Sequence, residues 1–154
     1  MSYLTGEFEC KLDNKGRMMI PAGLKKQLPE AESEGLVINR GFEKYLVIYT
    51  KKEWHKKLDE LSKLNQYDTK NLQFIRLFTR GSTDITPDST GRVNLPQILL
   101  DFAGIKSEVV LNCQLSWIEV WNKDAYQQML NSDSGDFAEM ARQVMGDKGK
   151  EGSV

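Results

Sequence analysis

This chain of 154 residues has few of the side chains that commonly bind metals, with one histidine and two cysteines. It contains no His and Cys cluster with zinc-ligand spacing, no phosphate-binding loop, no dinucleotide-binding glycine fingerprint and no serine nucleophile elbow. We therefore expect no enzyme activity, no metal or other cofactor, and no small-molecule substrate.

Long apolar runs are also absent. No stretch approaches the roughly 18 residues that a membrane-spanning helix needs, and the first residues have neither the basic region nor the apolar core of a signal peptide. Cys10 and Cys113 lie inside apolar runs, and we interpret them as small buried side chains in a reducing compartment rather than as a disulfide. These features predict a cytoplasmic protein that does not bind a membrane.

A strong overall charge is missing too, since the formal net charge is −1, which does not by itself indicate nucleic-acid binding. The charges are unevenly distributed, however. Residues 1–80 carry 15 Lys and Arg against 11 Asp and Glu, whereas residues 81–154 carry 6 against 11. A basic face on a nearly neutral protein can still bind phosphate, particularly when an oligomer repeats that face.

What the sequence does contain is a repeated pattern, Asp-x-x-Gly-Arg followed after two residues by an aliphatic residue and Pro. It spans residues 13–21 and recurs 75 residues later at 88–96. Further along, at an offset of 72, the aromatic-rich run 45–49 matches 117–121. The chain is therefore a duplicated unit. Because each unit of about 45 residues is near the lower limit for a core of its own, we expect one pseudo-symmetric body.

The repeated pattern is typical of a tight turn between two strands. Before it, Phe8, Cys10 and Leu12 alternate with charged residues, which is the period of a half-buried strand. Within it, the Asp side chain would cap the turn and the Gly would supply the positive φ angle that the turn requires. Pro21 then stands at a natural first position of a short helix.

The remainder of each unit predicts two more strands and a helix. In the first unit the strands are expected over 36–38 and 45–49, after a polar loop at 29–35, and Thr50 is the expected N-cap of the helix. A second amphipathic helix is predicted over 68–80, between the two units.

The end of the chain differs in character. A linker is expected at 131–135, and the tail from residue 146 is polar and is expected to be disordered. Between them lies an apolar stripe at helical spacing, which predicts an amphipathic helix and consists of Phe137, Met140, Ala141, Val144 and Met145.

The doubled pattern resembles the MraZ family, whose members carry two units of the AbrB/SpoVT type. The arginine-containing aromatic run 74–78 is also similar to that family, and the resemblance covers about residues 3–130. It implies an α+β fold, mainly β with short helices, in which interleaved hairpins of two tandem repeats form a pseudo-twofold β-barrel with flanking helices.

On this resemblance we divide the chain into four segments. Residues 5–52 form the first repeat, 53–80 the connecting helices, 81–124 the second repeat, and 125–154 a C-terminal helix with a polar tail.

The resemblance also implies a function. Members of this family assemble into rings and bind DNA upstream of the division and cell-wall gene cluster, where they act as transcriptional regulators. We therefore expect a nucleoid-associated homo-oligomeric ring that binds double-stranded DNA, at a promoter with short direct repeats that includes its own.

The chemistry of the turns agrees with DNA binding. A glycine turn can approach DNA closely, and the adjacent Arg can pair bidentately with the O6 and N7 atoms of guanine or with a phosphate. Lys15 would add a cation for phosphate, and the Gly16 N–H could donate to phosphate as well. The predicted DNA-binding residues are Asn14, Lys15, Gly16 and Arg17 in the first turn, and Thr90, Gly91 and Arg92 in the second.

Three alternatives stay open at this point. Thr90 replaces Lys15 in the second turn and the surrounding half is acidic, so Arg92 could equally have a structural role. In both turns the Asp and Arg could simply form a salt bridge that pins the hairpin. The chain could also be a protein-interaction ring that has lost DNA binding, or, less favoured, an AbrB-type antitoxin whose partner contacts the stripe at 137–145.

Overall fold

The computed structural model describes residues 3–132 and 135–146, which belong to two compact units that divide between Lys123 and Asp124. The first unit contains eight strands and five helices among the residues described. Its strands are β1 (Glu7–Lys11), β2 (Arg17–Met19), β3 (Leu36–Arg40), β4 (Leu46–Thr50), β5 (Thr83–Ile85), β6 (Arg92–Asn94), β7 (Glu108–Gln114) and β8 (Trp117–Asn122). Its helices are α1 (Ala22–Lys25), α2 (Ala31–Glu34), α3 (Lys51–Ser62), α4 (Thr69–Thr79) and α5 (Gln97–Ala103).

The strands form an antiparallel six-stranded sheet in the order β1-β7-β8-β4-β3-β5 and a separate antiparallel ribbon of β2 and β6. Most of these pairings join one repeat to the other: β1 pairs with β7, β4 with β8, β3 with β5, and β2 with β6. The repeats are thus interleaved, and neither could complete its hydrogen bonding alone.

The sheet order reads the same when every strand is exchanged for its equivalent in the other repeat. At its centre Val47 faces Glu119, which is the same position 72 residues later, and in the ribbon Met18 faces Val93, which is the same position 75 residues later. A pseudo-twofold axis therefore passes through each of these pairs. The predicted fold class, mainly β with short helices and built from two tandem repeats, is confirmed.

The predicted hairpins are correct at their turns but not in their strand pairing. Only a single bridge, between Leu12 and Met18, joins β1 to β2 directly. After that bridge β1 continues along β7 and β2 continues along β6. The ladders therefore make one open sheet and one ribbon rather than a continuous closed ladder.

The core lies between the sheet and the ribbon and takes apolar side chains from both repeats, including Met18, Leu24, Val93, Leu99 and Leu111, each at most 2% exposed. A second, smaller cluster of Val37, Val47, Tyr49 and Trp54 is partly covered by Leu58 of α3 and Phe78 of α4. The first cluster holds the ribbon rigidly against the sheet, which matters for the site described below.

Several local features match the sequence prediction closely. The Thr50 hydroxyl accepts a hydrogen bond from the Glu53 N–H at 3.2 Å, so Thr50 caps α3 as expected. Pro21 and Pro96 precede their helices by one position, as N-caps rather than first helical residues. The polar segment predicted as a loop at 29–35 contains the one-turn helix α2, because the Glu34 and Gly35 N–H groups bond to the carbonyls of Glu30 and Ala31.

The second unit is helical in the part of the chain that is described. It contains most of α6 (Lys123–Ser132), then α7 (Phe137–Ala141) and a π-helical turn (Arg142–Gly146). The predicted amphipathic helix therefore changes its hydrogen-bonding period after Ala141, and its Phe137 and Met145 are exposed. Part of the expected linker, residues 133–134, and the expected disordered tail from 147 onward lie outside the described residues.

Among the described helices, none combines the length and the apolar character needed to cross a lipid bilayer.

Candidate nucleic-acid interface

The first repeated turn is built around the side chain of Asp13. Its Oδ1 accepts hydrogen bonds from the backbone N–H groups of Lys15 and Arg17, both at 2.9 Å. The backbone N–H of Asp13 donates to the Arg17 carbonyl at 2.9 Å, and Gly16 has a φ of 79°. The Asp therefore caps the turn and the Gly provides the left-handed conformation, as the sequence predicts.

The second turn repeats this geometry. Asp88 Oδ1 accepts from the N–H groups of Thr90 and Arg92, at 2.9 and 3.0 Å, and Gly91 has a φ of 85°. The Thr90 hydroxyl, which replaces the lysine of the first turn, donates to Asp88 Oδ1 at 2.7 Å. Thr90 thus stabilises the turn in addition to lying at its tip.

Each arginine is held at one edge of its guanidinium group. Arg17 Nε lies 2.8 Å from Asp13 Oδ2, and Arg92 Nε lies 3.2 Å from Asp88 Oδ2 and 2.9 Å from the Thr90 hydroxyl oxygen. Within residues 3–132 and 135–146, the terminal Nη groups of both arginines make no hydrogen bond. The salt bridge and a contact to DNA therefore use different nitrogens of the same side chain.

These contacts lower the pKa of both carboxyl groups. For Asp13 the main cause is the hydrogen bond from the Arg17 backbone N–H, with further contributions from the Lys15 N–H and the Arg17 guanidinium group. For Asp88 the main cause is the Arg92 backbone N–H, followed by the Thr90 hydroxyl. Both carboxylates therefore stay ionised near neutral pH and continue to orient the arginines.

The ribbon brings the two turns side by side. The Ile20 N–H donates to the Gly91 carbonyl at 3.0 Å, and the Leu95 N–H donates to the Gly16 carbonyl at 2.9 Å. These two bonds are pseudo-symmetric equivalents, and each one ties a strand of one repeat to the turn of the other. The turns therefore form one surface, which the sequence pattern treated as two separate tips.

The outward face of the ribbon carries four side chains. Arg17 lies opposite Asn94 and Arg92 lies opposite Met19, while Met18 and Val93 point to the core from the other face. Strand geometry places the Cα atoms of the two arginines about 8 Å apart. Met19 and Asn94 were not among the predicted site residues, although their positions, two residues after each arginine, put them on the same face of a strand.

A further cation reaches the second turn from another element. The Lys25 Nζ atom, at the end of α1, lies 3.6 Å from the point where a Cβ on Gly91 would stand. It also lies 3.5 Å from a Glu32 carboxylate oxygen, and both side chains are more than half exposed. In the equivalent position of the second repeat Leu100 packs near Gly16. Each turn therefore has one lysine beside its arginine, Lys15 at the first and Lys25 at the second.

The backbone amides of the turn glycines are already used inside the protein. The Gly16 N–H donates to the Asp13 carbonyl at 3.1 Å, and the Gly91 N–H donates to the Asp88 carbonyl at 2.9 Å. The expectation that the Gly16 N–H could donate to phosphate is therefore wrong. Contacts from this surface must come from side chains.

The predicted site residues differ in their exposure. Asn14, Lys15 and Thr90 are exposed, Gly16, Arg17 and Arg92 are partly buried, and Gly91 is buried. Metal ligands are not grouped here: among the described residues, no three His, Cys, Asp or Glu side chains come together in a way that could hold an ion.

Comparison with known proteins places the chain among related sequences. A family model described as "MraZ protein, putative antitoxin-like" matches residues 3–75 and again 78–146. A protein of Christiangramia forsetii named "Transcriptional regulator MraZ" is 43% identical over 95% of this chain and 95% of its own length. Proteins of the same name from Flavobacterium psychrophilum and Cytophaga hutchinsonii are 42% and 34% identical, over 95% and 98% of this chain and 94% and 100% of their own lengths.

A solved solution structure, PHS018 from Pyrococcus horikoshii, aligns with 75% of this chain and 96% of its own, at 19% identity. Its TM-score of 0.35 is too low to show a shared fold.

Proposed function

This chain belongs to the MraZ family, and from that premise we propose that it is a transcriptional regulator that binds double-stranded DNA through the outward face of its β2–β6 ribbon. The observation that carries the proposal is the geometry of Arg17 and Arg92. Both are fixed through Nε by an aspartate of their own turn, both leave their Nη groups unbonded within the described part of the chain, and both lie on one face.

A two-stranded ribbon fits the major groove of B-form DNA. The terminal nitrogens of each arginine can donate to O6 and N7 of a guanine, and the fixed Nε edge reduces the conformational freedom that would be lost on binding. The two arginines are separated by about 7 Å along the ribbon, which corresponds to about two base-pair steps of 3.4 Å. One ribbon would therefore contact a few adjacent base pairs.

Phosphate contacts would come from the lysines beside the turns. Lys15 is exposed at the tip of the first turn, and Lys25 lies near Gly91 of the second. The ion pair between Lys25 and Glu32 is largely exposed, so it contributes little to stability and can be exchanged for a phosphate contact. The structure therefore makes the second turn a better candidate for DNA contact than its sequence suggested.

One ribbon alone provides few contacts, so we propose that several copies act together. The finer functional expectation is an oligomeric ring that binds short direct repeats upstream of the division and cell-wall gene cluster, including its own promoter, in the cytoplasm and at the nucleoid. Repetition of weak ribbon–DNA contacts within one assembly would raise the affinity by increasing the effective concentration of each ribbon.

An exposed apolar groove on the first unit is a suitable surface for that assembly. The groove has a volume of about 530 Å³ and is lined by residues of β4, β8, α3 and α4. Phe42, Phe74 and Leu77 on its lining are 77%, 43% and 57% exposed. Exposed aromatic and aliphatic side chains grouped in this way are typical of protein–protein contact surfaces.

The test is fluorescence anisotropy with a labelled duplex from immediately upstream of this protein's own gene and a scrambled duplex of the same composition. We expect the wild type to prefer the natural duplex and its affinity to fall steeply between about 50 and about 200 mM salt. Arg17→Ala should weaken binding by about 5- to 150-fold, which corresponds to the loss of one bidentate contact per ribbon.

Arg80→Ala removes an exposed arginine that lies after α4, away from the ribbon in the chain, and is the matched control for net charge. It should bind like the wild type, and both variants should keep the circular dichroism spectrum and sedimentation of the wild type. Equal and weak binding to both duplexes, or no effect of Arg17→Ala, would contradict the proposal. That result would favour a protein-interaction ring that has lost DNA binding.

A further inference from the structure

The two repeats differ at one pair of equivalent positions on the outward face of the ribbon. Met19 and Asn94 occupy the same place in their repeats, each two residues after its arginine. Because the strands run antiparallel, Asn94 lies opposite Arg17 and Met19 lies opposite Arg92. The ribbon therefore presents two rows of side chains, one of Arg and Asn and the other of Arg and Met.

The amide group of Asn94 is free for an external partner. The residue is exposed, and in the described part of the chain its side chain makes no hydrogen bond. Its Oδ1 lies 3.9 Å from the point where a Cβ on Gly16 would stand, so the amide is beside the first turn. Asparagine on a rigid ribbon can form two hydrogen bonds with N6 and N7 of adenine in the major groove.

Met19 has the opposite chemistry in the equivalent place. It is 51% exposed, whereas its neighbour Met18 is 1% exposed. Its sulfur lies 3.6 Å from the point where a Cβ on Gly91 would stand, so its side chain lies beside the second turn. An apolar side chain on a base-contacting surface can pack against the methyl group of thymine.

We propose that Asn94 and Met19 are specificity-determining residues for DNA, with Asn94 reading an adenine beside the guanine bound by Arg17 and Met19 reading a thymine methyl beside the guanine bound by Arg92. This inference rests on the proposed function and extends it to the bases next to the two guanines.

A consequence follows from the pseudo-twofold axis. The axis passes through the Met18–Val93 pair, perpendicular to the ribbon, so two identical rows would read a palindromic sequence. Because the rows differ, the ribbon reads a sequence with a direction. Directional reading lets successive copies bind direct repeats in the same orientation.

The experiment is selection from a randomised duplex library with the full-length wild type and three variants. The wild type should enrich a non-palindromic sequence with two guanine contacts, and Asn94→Ala should lose about 5- to 150-fold of its preference for adenine while keeping both guanines. Asn94→Met makes the two rows alike and should enrich a palindrome. Met19→Asn should enrich a different palindrome, with adenine beside each guanine.

The outcomes separate this inference from the function on which it rests. If the wild type enriches no sequence, the proposed function is overturned, and the inference with it. If the wild type enriches a sequence and all variants enrich the same one, only the assignment of Asn94 and Met19 is overturned. Thermal unfolding of each variant provides the folding control, and Asn94→Gln, which can also pair with adenine, should retain part of the preference.

Discussion

At the scale of single residues, the aspartate of each turn combines two tasks. Through Oδ1 it closes the turn by accepting backbone N–H groups, and through Oδ2 it holds the arginine by Nε. The sequence pattern left a structural salt bridge and a DNA contact as alternatives for Arg17. The geometry makes them compatible, because the aspartate uses one nitrogen of the guanidinium group and leaves the other two.

The first prediction at this scale concerns acid. Because the folded turn lowers the pKa of the Asp13 and Asp88 carboxyl groups, both should titrate below the ordinary Asp value of about 3.9, as measured by carbon-detected NMR. The stability that they contribute should be fully present above about pH 4 and should be lost as the pH falls through the folded-state pKa values. In Asp88→Asn part of this acid dependence should disappear. Titration of both carboxyls at the ordinary value would show that the turn contacts are not maintained in solution.

At the scale of the element, the ribbon separates stability from recognition by the alternation of its two faces. Met18 and Val93 face the core, and Met19 and Asn94 face outward beside the two arginines. The interior side chains hold the ribbon in place, so the outer side chains are free to differ between the repeats without a cost to folding.

This separation predicts opposite results for two adjacent methionines. Met18→Ala should lower the free energy of unfolding by about 2–5 kcal/mol, because it leaves a cavity in the core. Met19→Ala should change it by less than about 0.5 kcal/mol, because the side chain is half exposed. Urea denaturation followed by circular dichroism measures both. Similar losses for the two variants would show that the ribbon is not oriented as described.

At the scale of the whole molecule, the first unit depends on exchange between its repeats, since both ribbon strands and three of the five sheet ladders join one repeat to the other. The same unit exposes the apolar groove described above, which includes Phe42, Phe74 and Leu77. Helix α4 has no buried residue, although its sequence is amphipathic. An uncovered helix of this kind is consistent with contact between copies of the chain.

The prediction at this scale is that Leu77→Lys breaks the assembly without unfolding the protein. A charge placed in an interface core loses its hydration, whereas in the free chain the same side chain stays in solvent. Sedimentation velocity should show a smaller species with an unchanged circular dichroism spectrum. Ile98→Lys places the same charge on an exposed apolar site outside the groove and should leave the assembly intact. An unaffected Leu77→Lys assembly would rule out this groove as the contact surface.

The sequence alone was sufficient for the features that depend on neighbouring residues. The duplication, the capping role of Asp13, the positive φ of Gly16 and the N-cap at Thr50 follow from contacts within five residues along the chain. These are local hydrogen bonds and steric preferences, so the residue pattern carries them directly. The family resemblance supplied the interleaved α+β architecture, which the residue pattern by itself did not contain.

Only the tertiary structure decided which elements meet. Alternation in β1 and β2 tells which side chains face the core, but it does not tell which strand lies alongside. The pairing of β2 with β6 joins the two turns into one surface, places Lys25 near Gly91, and sets Asn94 opposite Arg17. These contacts join residues separated by more than 60 positions in the chain, and their partners are selected by the packing of the common core rather than by any local preference.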